Sequence, residues 1–277
     1  MYAALAPTFL VPRSPFPVRR SAFGVRLDYS PSVIVRPDGN SLLLIRQPDH
    51  AAMAADLLAA WKADGFPARA TRDVVLDATR AHDCGWAAED DAPTVNPDTG
   101  SPWDFIRLPV ERRQGVWIRA LALLDATPHI AALVAHHALT AYARYEGDPG
   151  WTAFFRTMTD ERDRRFAVLA DRAAAVPLAD FLRDYASLRT ADLMSLALCH
   201  GWQDRFEVDH YRGALHGTTM VLTPDPFDGA TVTWRVPARR IAAQPYASDA
   251  ALREAVAAAP AEWLTGTVRG EPEPLAS

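Results

Sequence analysis

The sequence predicts a mainly α fold of the α+β class: a helical core, with a small β element formed by an N-terminal hairpin and C-terminal strands. Three observations lead there. From about residue 50 to residue 202, apolar residues recur at helical spacing in one segment after another. Before and after that stretch the pattern changes to short β-prone runs separated by turn formers. The chain has 277 residues, 49% of them apolar, enough for one sizeable core. A single domain is therefore expected over residues 31–270, with a helical core at 50–202 and a β/α part at 203–270.

Taken in order, Ser32 to Arg36 and Ser41 to Arg46 are β-prone, and the turn Pro37-Asp38-Gly39-Asn40 makes them a hairpin. His50 to Ala63 reads as a helix with Met53, Leu57 and Trp61 on one face, ended by Gly65 and Pro67. Asp73 caps a second helix that carries Val74, Val75, Ala78 and His82 and runs out near Gly85. Residues 87–105 read as a loop, rich in acids and turn formers. A loop of that length is commonly functional. Helices are expected at 110–125, 129–145, 151–174 and 178–200. Thr218 to Leu222 and Thr231 to Val236 alternate as strands, and Pro224 to Gly229 joins them. Ser248 opens a short helix over Asp249 to Ala258, and Trp263 to Arg269 reads as a last strand. Residues 1–30 contain Pro7, Pro12, Pro15 and Pro17 and read as a disordered extension. Their apolar run precedes the arginines, the reverse of a secretory signal.

Composition removes several classes of function. A net charge of -5 and a pI of 5.9 argue against a nucleic-acid footprint. No stretch reaches the roughly 18 apolar residues of a membrane span. Cys84 and Cys199 are too few for a disulfide framework and lack a zinc-type spacing, so a reducing, cytoplasmic setting is expected. The sequence leaves the oligomeric state open, a homodimer included.

The chemistry lies in polar residues at apolar helix positions. Phe181, Tyr185, Leu188, Asp192, Leu196 and Cys199 share one helix face, with Asp192 in its middle. An unpaired carboxylate there would cost several kcal/mol. A single buried Asp is most often paired with an arginine or caps a helix. His137 has the phase of Ile130, Leu133 and Val134, His82 that of Val75 and Ala78, and His50 that of Leu57. Ligand-type residues facing inward from four helices suit a transition metal such as zinc, iron or manganese. The neighbours His82 and Asp83 point about 100° apart on a helix and can meet the edge of one pocket. Glu89, Asp90 and Asp91 in the long loop are candidates for a general base or a further ligand. Arg36 and Arg46 are candidates for binding an anionic substrate. His136 is expected at a pocket rim or in solvent.

The order His50, His82-Asp83, Asp192 resembles the HD-domain metal-dependent phosphohydrolases. More closely, the stretches VIVRPDG, QPDHAA, HDCGW, DDAP, NPDTGSPWDF, AHHAL, ADLMSLALC, DPFDG, VPARR and PYASDAALREA resemble the domain of unknown function 3891 family over residues 32–268. The resemblance implies an HD-domain-like helical core. It implies His50, His82, Asp83 and Asp192 as ligands of a first divalent ion (iron, manganese or zinc) and His137 as a ligand of a second. It implies hydrolysis of a small anionic or phosphorylated substrate, with Asp83 orienting the attacking water. Two other outcomes fit the same residues: a di-iron oxygenase of the HD type, and a non-catalytic protein that binds a metal or a small ligand.

Overall fold

The computed structural model describes residues 33–170 and 176–273; the extension expected at 1–30 lies outside them. The chain begins with the hairpin β1 (Ile34–Asp38) and β2 (Ser41–Ile45), closed at Asp38 and Ser41. Gly39 takes the positive φ of 61° that the tight turn requires. Helices α1 (Gln47–Ala59) and α2 (Arg72–Ala81) follow, then a 3-10 turn at Cys84–Trp86 and the short α3 (Ala87–Asp91). Next come α4 (Val110–Leu123), α5 (Pro128–Ala141), α6 (Thr152–Ala170) and α7 (Leu178–His200). The C-terminal part contains β3 (Phe206–Val208), β4 (Tyr211–His216), β5 (Thr219–Thr223), β6 (Thr231–Ala242), α8 (Asp249–Ala258) and β7 (Ala261–Gly270).

All seven strands join one curled sheet in the order β1-β2-β6-β7-β5-β4-β3. Every pair is antiparallel except β5 with β7. This overturns the expectation of a mainly α, HD-domain-like core with a small β element. The fold is α+β, 49% helix and 21% strand, built on a seven-stranded curled sheet. The physical reason lies in β6 and in β3 to β5. The strand pattern around Thr231 to Val236 continues through Pro237, a residue that normally ends a strand. Pro237 lies beyond the last residue that β6 pairs with on β2, so the missing N–H falls where β6 has β7 as its neighbour on one side only.

One sheet face packs on α1 and α7, with Leu43, Ile45, Trp234 and Val236 against Met53, Leu57, Met194 and Leu198. The opposite face, at the β1-β2-β6 end, is covered by α8 through Leu44, Ile241 and Leu252. A separate apolar layer joins α4, α5 and α6 around Trp117, Val134, Trp151 and Met158. Helix α2 packs against α1, α5 and α7. The four helices α1, α2, α5 and α7 thus enclose the interior to which the predicted ligands were assigned. The C-terminal half of α7 is buried on most of its circumference, because α1 and the sheet cover different sides of it.

The helix boundaries shift in informative ways. The first helix starts at Gln47 rather than His50, with Pro48 in its first turn, and ends at Ala59 rather than Ala63. Part of the expected loop is the helix α3. The second helix stops at Ala81, short of the His-Asp pair.

Candidate metal centre

The end of α2 shapes the site. His82 is the last residue with helical dihedrals, and Asp83 (φ −106°, ψ 19°) turns the chain into the 3-10 segment. Neighbours that would diverge by about 100° on a continuous helix therefore converge, with Asp83 Oδ2 3.4 Å from His82 Nε2. Gly85 permits the turn to lie against α4: a Cβ there would stand 1.9 Å from the Val116 carbonyl oxygen.

The structure brings all five predicted residues together. His50 Nε2 is 2.8 Å from Asp83 Oδ2, His82 Nε2 is 3.2 Å from Asp192 Oδ1, and His137 Nε2 is 3.7 Å from Asp192 Oδ2. They form two overlapping groups that could hold a metal ion, His50-His82-Asp83 and His82-His137-Asp192. Donors about 2.1 Å from a common ion stand about 3.0 to 3.4 Å apart in octahedral or tetrahedral arrangements, so the observed separations suit an ion. Both groups include His82, whose Nδ1 is taken up by the Thr79 carbonyl, so its Nε2 lone pair can serve one ion.

Hydrogen bonding fixes the tautomers. Ser195 Oγ donates to the Asp192 carbonyl oxygen at 2.8 Å. Its 2.8 Å contact with His50 Nδ1 is then one in which the imidazole donates. The Thr79 carbonyl only accepts, so His82 Nδ1 donates to it at 2.7 Å. In each neutral ring Nε2 is left as a lone pair aimed at a carboxylate. Lone pairs facing carboxylates repel unless a cation lies between them. Asp83 and Asp192 have ion-pair contacts to histidines only, with no arginine or lysine beside them among the described residues. The donor set therefore fits a divalent ion: two carboxylates, three imidazole nitrogens and, among the described residues, no arginine or lysine in ion-pair contact with either acid.

Titration reflects the same balance. Burial opposes a charged His82, yet Asp83 and Asp192 outweigh it and raise its pKa well above the ordinary histidine value. Burial would also raise both acids, but the facing histidines, His82 foremost, hold their carboxyls below the usual range. His137 is driven down to about 4, chiefly by burial, and is neutral at pH 7.

Sequence reasoning missed Ser195 and Thr79. Ser195 is the polar exception in the buried stretch ADLMSLALC, three residues from Asp192, and that was its signal. Because Ser195 holds His50 by its Nδ1, Ser195→Ala is expected to weaken metal binding about 10- to 100-fold while Ser195→Thr retains most of it; competition with a metal-indicator dye measures this.

Other candidates take structural roles. Glu89 pairs with Arg112 and Arg119, and Asp91 with Arg46. Asp90 Oδ2 accepts from the Gln47 backbone N–H at 2.7 Å, capping α1 from another segment. Arg46 is thus tied to the loop, and Arg36 lies against Gly201 at the end of α7. His136 is partly exposed and packs edge-on to Tyr185 at 4.5 Å, and burial of its ring lowers it to about 3. Cys199 is buried and Cys84 partly so, and burial raises both thiols.

Among the described residues no helix is long and apolar enough to cross a membrane. Comparison with the curated proteins and with the solved structures gives no significant match in either set. The HD-domain resemblance thus rests on ligand order alone. Comparison with protein families matches residues 33–243 to the family described as "Protein of unknown function (DUF3891)", a span covering most of the chain, and the protein belongs to that family.

Proposed function

We propose that the centre is the active site of a metal-dependent phosphohydrolase. The observation that carries this is its asymmetry. The side chains of His50 and His82 are wholly sealed, at 0% exposure, whereas Asp83, His137 and Asp192 keep 9%, 8% and 12%. A structural metal site is typically closed on all sides, and a catalytic one leaves an edge for substrate. Here the accessible edge is the one with both carboxylates. The ligand order supports phosphoester hydrolysis over other metal chemistry, and a small, anionic substrate suits a centre with so narrow an opening.

A divalent ion held by His50, His82, Asp83 and Asp192, with His137 beside them, would lower the pKa of water towards neutrality and polarise a phosphoryl oxygen. The protein's own contribution is positional. Ser195 and Thr79 orient two imidazoles. Asp83 contacts both histidines through Oδ2, which leaves Oδ1 to orient an attacking water by accepting a hydrogen bond from it.

The full chain, loaded in turn with Mn²⁺, Fe²⁺ and Zn²⁺, is expected to turn over at least one member of a panel of phosphomonoesters, phosphodiesters and nucleotides. Asp83→Asn should lower kcat by about 10²-fold. A protein that holds one ion per chain and leaves the whole panel intact would overturn the hydrolase reading in favour of a metal- or ligand-binding protein.

A further inference from the structure

A second cavity, of about 390 Å³, lies on the sheet face opposite α1 and α7, between α8 and the segment Asp90–Pro93. None of its lining residues belongs to the metal cluster. Stretches far apart in the chain meet here. Arg46 and Asp49 come from the start of α1, Asp90 and Asp91 from α3, Arg239 from β6 and Arg253 from α8. The volume lies within the range of small-molecule sites, about 300 to 1,000 Å³.

We propose that this cavity binds a small organic monocarboxylate with a compact apolar body. Three guanidinium groups line it. Arg46 is paired with Asp91 at 2.7 Å. Arg253 is held by Asp249 and by the Pro93 carbonyl oxygen. Arg239 donates to the Ala259 carbonyl oxygen and has no acidic partner among the described residues. A guanidinium offers a planar fork that matches a carboxylate. Asp90 supplies the second, independent feature. Its carboxyl is buried, Oδ2 is bound by the Gln47 N–H, and Oδ1 has no partner. Burial pushes this group up to about 8, so it is mainly protonated at neutral pH and adds little repelling charge beside the cavity. Leu44, Pro93 and Val256 give the ligand an apolar wall. The charge count selects a monoanion. Asp91 and Asp249 neutralise Arg46 and Arg253, which leaves Arg239 as the lining arginine able to pair with one anionic charge, and the nearby carboxylates of Asp49 and Asp91 disfavour a dianionic phosphate.

The test is a ¹⁹F NMR titration of the full chain with 4-fluorobenzoate at pH 7. Saturable binding with a Kd below about 10 mM is expected. Arg239→Gln should weaken it by about tenfold or more, and Val256→Trp, which fills the cavity, should abolish it. Both positions are exposed or partly exposed, so either variant suffices if the other fails to fold. 4-Fluorobenzamide, the neutral isostere, should not bind, and 4-fluorophenyl phosphate should bind more weakly. Binding should persist after chelator treatment, which separates this site from the metal centre. The proposal is overturned by an absence of saturable binding, by unchanged affinity in the folded variants, by preference for the phosphate or the amide, or by loss of binding on metal removal.

Discussion

His82→Ala is expected to purify with less than about a tenth of the metal held by the parent chain, while His136→Ala keeps a full complement. Elemental analysis of the two proteins side by side reads this out. His82 carries the larger effect because both possible metal groups include it. It is wholly buried, and its Nδ1 is committed to the Thr79 carbonyl. Its loss also leaves Asp83 and Asp192 as two buried carboxylates without their principal counter-charge, an arrangement that costs several kcal/mol. The variant should therefore be less stable than the metal-free parent, and circular dichroism must first establish that it folds. His136 is adjacent in sequence but packs on Phe181 and Tyr185, away from the cluster. Its replacement tests whether helical phase, rather than proximity in the chain, decides which histidine matters. Metal-free parent protein with His82 intact would sink the site.

The comparison of sequence with structure separates what periodicity can carry from what it cannot. Asp192 and His137 were legible because a polar residue on an apolar helix face is conspicuous, and helical phase is a local property. The convergence of His82 with Asp83 was not. On a continuous helix the two side chains diverge, and they meet only because α2 ends between Ala81 and the 3-10 turn. Ser195 and Thr79 carry no charge, and a lone hydroxyl among apolar neighbours names no partner. Their importance follows from which imidazole nitrogen they touch, which is a long-range fact for Ser195 and His50. The sheet was underestimated for a related reason. The hairpin at one end and the strands at the other look like separate small elements in the sequence. They become one layer through the pairing of β2 with β6, across roughly 200 residues. Strand β3 and its partner β4 show the alternation Phe206, Val208 and Tyr211, Leu215. They are short, though, and the turn at Asp209 has a positive φ of 52° without a glycine to announce it. Asp90 was expected only as one of three acids, with Glu89 and Asp91, that could serve as a base or ligand, and its observed contact is with the backbone of α1 rather than with the cluster.

Metal affinity is expected to climb steeply with pH, and the metal-free protein to lose stability over the same range. In the metal-free state the cation between the facing carboxylates is a proton on His82 Nε2, since Asp83 and Asp192 raise its pKa well above the ordinary value of about 6.5. A histidine whose folded pKa is raised contributes stability that is fully present below its unfolded pKa. That contribution is lost as pH rises through the folded value. The two carboxylates have the opposite sense: their folded pKa values are lowered, so their contribution is present above about pH 4 and is lost as pH falls further. The combined contribution of His82, Asp83 and Asp192 to the metal-free chain should thus be greatest between about pH 4 and 6.5 and should fall away on the alkaline side. Metal and proton compete for the same nitrogen, so binding expels one proton, and apparent affinity rises about tenfold per pH unit up to the folded pKa of His82. His137, near 4, adds nothing to this slope above about pH 5. Calorimetry in two buffers of different ionisation enthalpy at pH 6.5 should count one proton released per ion. The metal-loaded protein should lose the alkaline decline in melting temperature. An affinity independent of pH between 5.5 and 7 would show that His82 Nε2 is not where the ion binds.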